Sequence, residues 1–101
     1  MSLTEKQKKH LRKLGHGLEP TISTGNAGLT AGLLAELDTT LAHHELLKVR
    51  IRAADRDSRE AMINTLCEAT GAELVQRIGH VAVLWRANPE RRRVPLPAAS
   101  G

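Results

Sequence analysis

Apolar residues recur at helical spacing in some stretches of the chain and alternate with polar ones in others, and the succession of these patterns predicts the elements. Leu3, Leu11 and Leu14 form a narrow apolar stripe on a first helix over Thr4–Leu14. Thr4 and Gln7 have the spacing of a capping box at its start, and Gly15 and Gly17 end it. In the connector His16–Pro20, Pro20 drives Glu19 towards an extended conformation. Thr21–Thr24, rich in β-branched residues, then predicts a short strand. Leu29, Leu33, Leu34, Leu37 and Leu41 repeat at helical spacing, so a second helix over Thr30–His43 buries a leucine face. Leu47, Val49, Ile51 and Ala53 alternate with Lys48, Arg50 and Arg52, the period of a strand with one buried face. Asp57 and Glu60 give a cap-like start to a third helix, which Met62, Ile63, Leu66, Cys67 and Thr70 trace and Gly71 stops. Glu73–Ile78 and Val81–Arg86 flank Gly79-His80, a two-residue hairpin connection.

The expected fold class is therefore α/β: one small domain with a mixed four-stranded sheet and three helices, in the order α-β-α-β-α-β-β. The strand-helix-strand units imply parallel pairing and the closing hairpin antiparallel pairing. Residues 1–86 make up this domain. Residues 87–101, with Arg91, Arg92, Arg93, Pro89, Pro95 and Pro97, have too few apolar positions to pack alone and read as a basic, flexible tail. Composition sharpens this picture in one respect. Trp85 is the single aromatic residue of 101, so the core must be built from Leu, Val, Ile and Ala.

Charge narrows the chemistry. Fifteen Lys and Arg against eleven Asp and Glu give +4, a balance that favours polyanionic partners. The first helix is the densest positive stretch, carrying Lys6, Lys8, Lys9, Arg12 and Lys13 against Glu5. Lys48, Arg50 and Arg52 share one strand face, which is a phosphate-contacting surface, a solvated edge, or a face covered by the first helix. In Thr24-Gly25-Asn26-Ala27-Gly28-Leu29-Thr30 the glycines lack a Cβ, so backbone can meet a polyanion closely where a helix begins. A plain strand-to-helix turn has the same spacing.

Other chemistries find less support. Cys67, the one cysteine, has no disulfide partner within the chain and sits at an apolar helix position, which points to a reducing, cytoplasmic setting and a core role. No apolar run approaches the length of a membrane span, so no membrane partner is expected. His43-His44 lacks the further ligands of a metal site. Asp55, Asp57 and Glu60 lack a nucleophile motif, and no phosphate-loop lysine follows the glycine tetrad. No enzyme activity, cofactor, metal or small-molecule substrate is expected. Trp85 alternates with Val81 and Val83, which places it in the core rather than against a base.

The small first helix ending in Gly, the Glu19-Pro20 approach to a strand, Gly25-Asn26-Ala27-Gly28-Leu29-Thr30 with Gly32, His43-His44-Glu45-Leu46-Leu47-Lys48-Val49-Arg50, Thr70-Gly71 and Val83-Leu84-Trp85-Arg86 stand in this order along the chain. Taken together, these stretches resemble the CRM domain, the YhbY-type RNA-binding family. The resemblance runs from about Leu3 to Arg86. It implies a fold related to the C-terminal domain of translation initiation factor three. It also implies a G-x-x-G loop that meets RNA backbone much as in KH domains, and an association with the precursor of the large ribosomal subunit. The residues expected to bind RNA are Gly25, Asn26, Ala27, Gly28, Lys48, Arg50, Arg52 and Arg86, and the expected partner is rRNA. An alternative is an adaptor that meets an acidic ribosome-associated protein. Glu19 departs from the family, in which many members carry a basic residue before the proline, and Trp85 departs where many carry tyrosine.

Overall fold

The computed structural model describes residues 3–25, 28–88, 90 and 94. Its elements follow the expected order: α1 (Glu5–Gly15), β1 (Pro20–Ser23), α2 (Ala31–His44), β2 (Leu46–Arg50), α3 (Arg56–Thr70), β3 (Glu73–Ile78) and β4 (Val81–Trp85). The local start signals act as the sequence suggests at α1, where Thr4 and Gln7 complete a reciprocal capping box. Thr30 caps α2 by accepting from the Leu33 N–H. At α3 the cap is Asp55 rather than Asp57. The Asp55 carboxylate accepts from the Ser58 N–H at 2.7 Å, and Asp57 lies inside the first turn. Gly71 ends α3 in the left-handed conformation, its N–H returning to the Cys67 carbonyl.

The sheet order is β1-β2-β4-β3. β1 and β2 pair in parallel, with Ser23 opposite Arg50, whereas β4 runs antiparallel to both β2 and β3. β4 therefore enters between β2 and β3, so the strand-helix-strand unit through α3 joins strands that are not neighbours.

Both faces of the sheet are apolar, in different proportions. On one face Leu47, Val49, Ile51, Ala82 and Leu84 pack under Leu37 and Leu41 of α2 and Ile63 and Leu66 of α3. On the other, Leu11 of α1 meets Leu46, Val75, Val83 and Trp85. Gly15 makes this second contact close, because a Cβ there would lie 3.3 Å from a Val83 methyl. Trp85 is thus core, as its alternation with Val81 and Val83 predicts. Leu14, expected in the α1 stripe, is instead 40% exposed.

Alternation fails at one point that matters below. Between Leu74 and Gln76 the pairing with β4 shifts register by a residue, a bulge at Val75. Val75 packs under α1 with the second cluster, and Gln76 lines the same side of the sheet, while Leu74 and Arg77 lie with Ile63 of α3.

Candidate nucleic-acid interface

The glycine tetrad closes a tight turn immediately past β1. The Gly28 N–H donates to the Gly25 carbonyl at 3.0 Å, and the two glycines bridge. Gly28 has φ +73°, a conformation that L side chains rarely adopt. Gly25 has no such requirement, and a Cβ there would meet no atom within 4 Å. Neither backbone strain nor packing thus demands glycine at 25. What its missing side chain provides is open access to the backbone. Asn26 and Ala27 lie outside the described residues.

Thr24 holds this turn against the cationic strand. Its N–H donates to the Arg50 carbonyl at 2.9 Å, and its buried hydroxyl oxygen accepts from the Arg52 N–H at 2.8 Å. One threonine therefore sets the distance between the glycine turn and Arg52. On the other side of β2 the Ile51 N–H donates to the His80 carbonyl, which brings the β3–β4 turn to the same end of the sheet. Arg59 of α3 and Arg77 of β3 both donate to the Gly79 carbonyl and tie that turn in place.

Three surface cavities run together across this end. The first, about 410 Å³, lies between Gly25, Gly28, Arg52, Ala53 and the first turns of α3 at Ser58 and Met62. The second shares Arg52 and Ala53 with it and adds Arg50, His80 and Val81. The third shares Arg50 and Val81 with the second and continues over the sheet to Lys48. Arg50 and Arg52 are exposed, and their side chains meet no partner among the described residues. Lys48 is half-buried, and its ammonium donates to the Leu18 carbonyl at 3.0 Å. β2 ends at Arg50, so Arg52, expected on the same strand face, lies just past the strand; the surface is open at Arg50 and Arg52, while at Lys48 it is tied to the connector after α1.

Arg86 is not part of this surface. The residue before it, Trp85, pairs with Leu46, whereas the glycine turn follows Ser23, which pairs with Arg50. Arg86 and the turn therefore lie at opposite ends of β2, separated by about 13 Å of strand. The Arg86 guanidinium donates to the Asp38 carboxylate, the Asp38 carbonyl and the Thr70 carbonyl. It joins α2 to the end of α3, a clamp that its position after a strand could not reveal.

Beside this clamp sits a residue that the charge pattern did not single out. Glu45 follows α2 with φ +62° and is fully buried. Its carboxylate accepts the Asn88 N–H at 2.6 Å and the Val94 N–H at 2.8 Å, and its carbonyl accepts the Arg86 N–H. Val94 also packs on the second apolar cluster. Asn88 and Val94, in the segment that reads as a flexible tail from its composition, thus reach back into the domain. Pro89, Arg91, Arg92, Arg93, Pro95 and Pro97 lie outside the described residues.

The remaining candidates fall into structural places. Ser58 hydrogen bonds, aided by the Arg59 charge, hold the Asp55 carboxyl below its ordinary range. Cys67 packs against the first apolar cluster, and burial, then the Glu73 charge, pushes its thiol up. His43 and His44 lie in the last turn of α2 beside Leu14, Leu18, Leu46 and Val94.

Comparison with known proteins identifies the family. The CRS1/YhbY (CRM) domain matches residues 3–86. A Haemophilus influenzae RNA-binding protein is 44% identical over 96 residues, covering 95% of this chain and 96% of that one. A Pseudomonas aeruginosa protein named as a probable RNA-binding protein is 44% identical over 90 residues, 89% of this chain and 86% of its own. The solution structure of a Staphylococcus aureus protein, a candidate RNA-binding protein, superposes with a TM-score of 0.81 at 38% identity, covering 95% of this chain and all of that one. With its family match, its curated relatives and its α-β-α-β-α-β-β order in agreement, the chain belongs to the CRS1/YhbY (CRM) domain family.

Proposed function

We propose that this chain is a non-catalytic, cytoplasmic RNA-binding protein that holds rRNA of the large-subunit precursor through backbone and shape contacts and so assists assembly of that subunit. The observation that carries the reading is the run of joined cavities from Gly25 and Gly28 past Arg52 to Arg50, in which neither arginine has a partner among the described residues. A turn without side chains at its glycines lets a phosphate approach the backbone and two free guanidinium groups supply charge, the combination that positions a phosphodiester chain without reading its sequence. The cations of α1 extend this field on the side of the sheet that carries Lys48. The RNA-binding names of the relatives support the partner class, and the large-subunit assignment rests on the family resemblance.

The test is a titration of the protein against large-subunit rRNA fragments at several salt concentrations, with wild type beside Gly25→Asp. Position 25 needs no positive φ and has open space around it, so aspartate folds there and puts a carboxylate where phosphate would sit. Affinity should fall with salt by about 0.7 log units per log salt for each phosphate contact on a single strand. Gly25→Asp should bind about tenfold more weakly with an unchanged melting temperature. Wild-type affinity retained in Gly25→Asp would reduce the tetrad to a turn. Complexes that form only with protein and survive nuclease would favour the adaptor.

A further inference from the structure

The third cavity differs in kind from the other two. α1 covers its face of the sheet from the Leu46–Trp85 end as far as Val83, on which Gly15 rests. Beyond Gly15 the face is open, a hollow of about 300 Å³ over Val81 and Val83, walled by Pro20, Ile78 and Gln76 and rimmed by Lys48, Arg50 and His16. That volume is at the lower end of the range for small-molecule sites. No carboxylate lines the hollow among the described residues. Ile78, at 60%, is the most exposed of the large apolar side chains described. The Gln76 amide oxygen is sealed from solvent yet meets no donor among the described residues. A buried acceptor without a donor weakens the fold, and a rotation of the Gln76 side chain into the hollow that it lines would offer this oxygen to a ligand donor.

We propose that this open half of the α1-side face seats one unstacked nucleobase of the bound RNA. The inference rests on the RNA-binding reading and names what the end of the cationic track receives. Arg50 and Val81 line both the second and the third cavity, so a strand whose phosphates follow Arg52 and Arg50 arrives at the hollow with its next base facing an apolar floor. Val81 and Ile78 pack against the base plane. The Gln76 amide, turned onto this face by the bulge at Val75 and rotated out of its sealed position, offers an acceptor and a donor to the base edge. Lys48 and Arg50 hold the flanking phosphates. Two cations and no carboxylate fit a polyanion rather than an acidic-and-apolar peptide groove of mixed charge.

The experiment uses the full chain and a short single-stranded oligoadenylate, in which one position at a time is replaced by abasic ribose. All phosphates are kept. Abasic replacement at one register should weaken binding about tenfold, the contribution of a single packed base. That loss should vanish in Gln76→Leu and in Ile78→Asp, and Gln76→Leu should melt at a higher temperature, because its orphaned oxygen is gone. The methyl resonances of Ile78 and Val81 should shift with the intact oligomer and not with a fully abasic one. If every abasic oligomer binds like the parent, the hollow holds no base and the phosphate track alone stands. If neither intact nor abasic oligomers nor rRNA fragments bind at low salt, the RNA reading fails and this inference with it.

Discussion

Each end of β2 has arginine beside it, and the two ends use it in opposite ways. At the Leu46 end, Arg86 and Glu45 spend their hydrogen bonds inside the molecule, on Asp38, Thr70, Asn88 and Val94. At the Arg50 end, Arg50 and Arg52 have no partner among the described residues, and the backbone around them is fastened by Thr24 and His80 instead. A satisfied cation holds elements together, whereas an unsatisfied one beside an open loop is available to a ligand. Charge in a sequence does not distinguish the two, because both ends are basic residues next to a strand.

The sharpest way to break this contrast is to exchange charge at each end and read affinity and stability separately. Arg50→Glu with Arg52→Glu should lower rRNA affinity by about a hundredfold at low salt and leave the melting temperature within a degree or so, since the side chains anchor nothing. Arg86→Ala should do the reverse, costing about 1–2 kcal/mol, chiefly by leaving the part-buried Thr70 carbonyl short of a charged donor, since water can reach the exposed Asp38 carboxylate. Denaturant titration with RNA binding measured on the folded fraction separates these outcomes. A loss of affinity in folded Arg86→Ala protein would return that residue to the interface.

A smaller change tests how the open end is built. Thr24→Val keeps the shape but removes the acceptor for the Arg52 N–H, so stability should fall by about 1 kcal/mol. RNA affinity should fall with it if the threonine sets the spacing between turn and arginine. The smallest effect is expected at Asp55. Its carboxyl is held below the ordinary value, so its contribution is present above that value and is lost as pH falls through the lowered one. Asp55→Asn keeps the cap and should match wild type near neutral pH, while showing less acid-dependent loss of stability below about pH 4. An unchanged acid limb would remove Asp55 from the electrostatics of this end.

Element order and the buried faces of the helices were legible in the sequence because each depends on residues close together along the chain. The Thr4–Gln7 box, the leucine spacing of α2 and the glycine after α3 are local signals, and the structure follows them. The glycine turn and the cations at 50 and 52 were legible for the same reason. Arg86 was not, since its partner Asp38 lies 48 positions away and no spacing rule links them. Glu45 was hidden likewise, its acceptors engaged by N–H groups 43 and 49 positions on.

By itself the sequence determined which segments are helix or strand, which of their faces are apolar, and that a backbone-exposing turn precedes α2, because propensity, period and capping act within a few residues. The tertiary structure alone decided that β4 lies between β2 and β3, that the Val75 bulge turns Gln76 onto the α1 side, and which cations remain free. Those outcomes depend on pairing register and on which distant donor reaches a given acceptor first in space, quantities that exist only once the chain is folded.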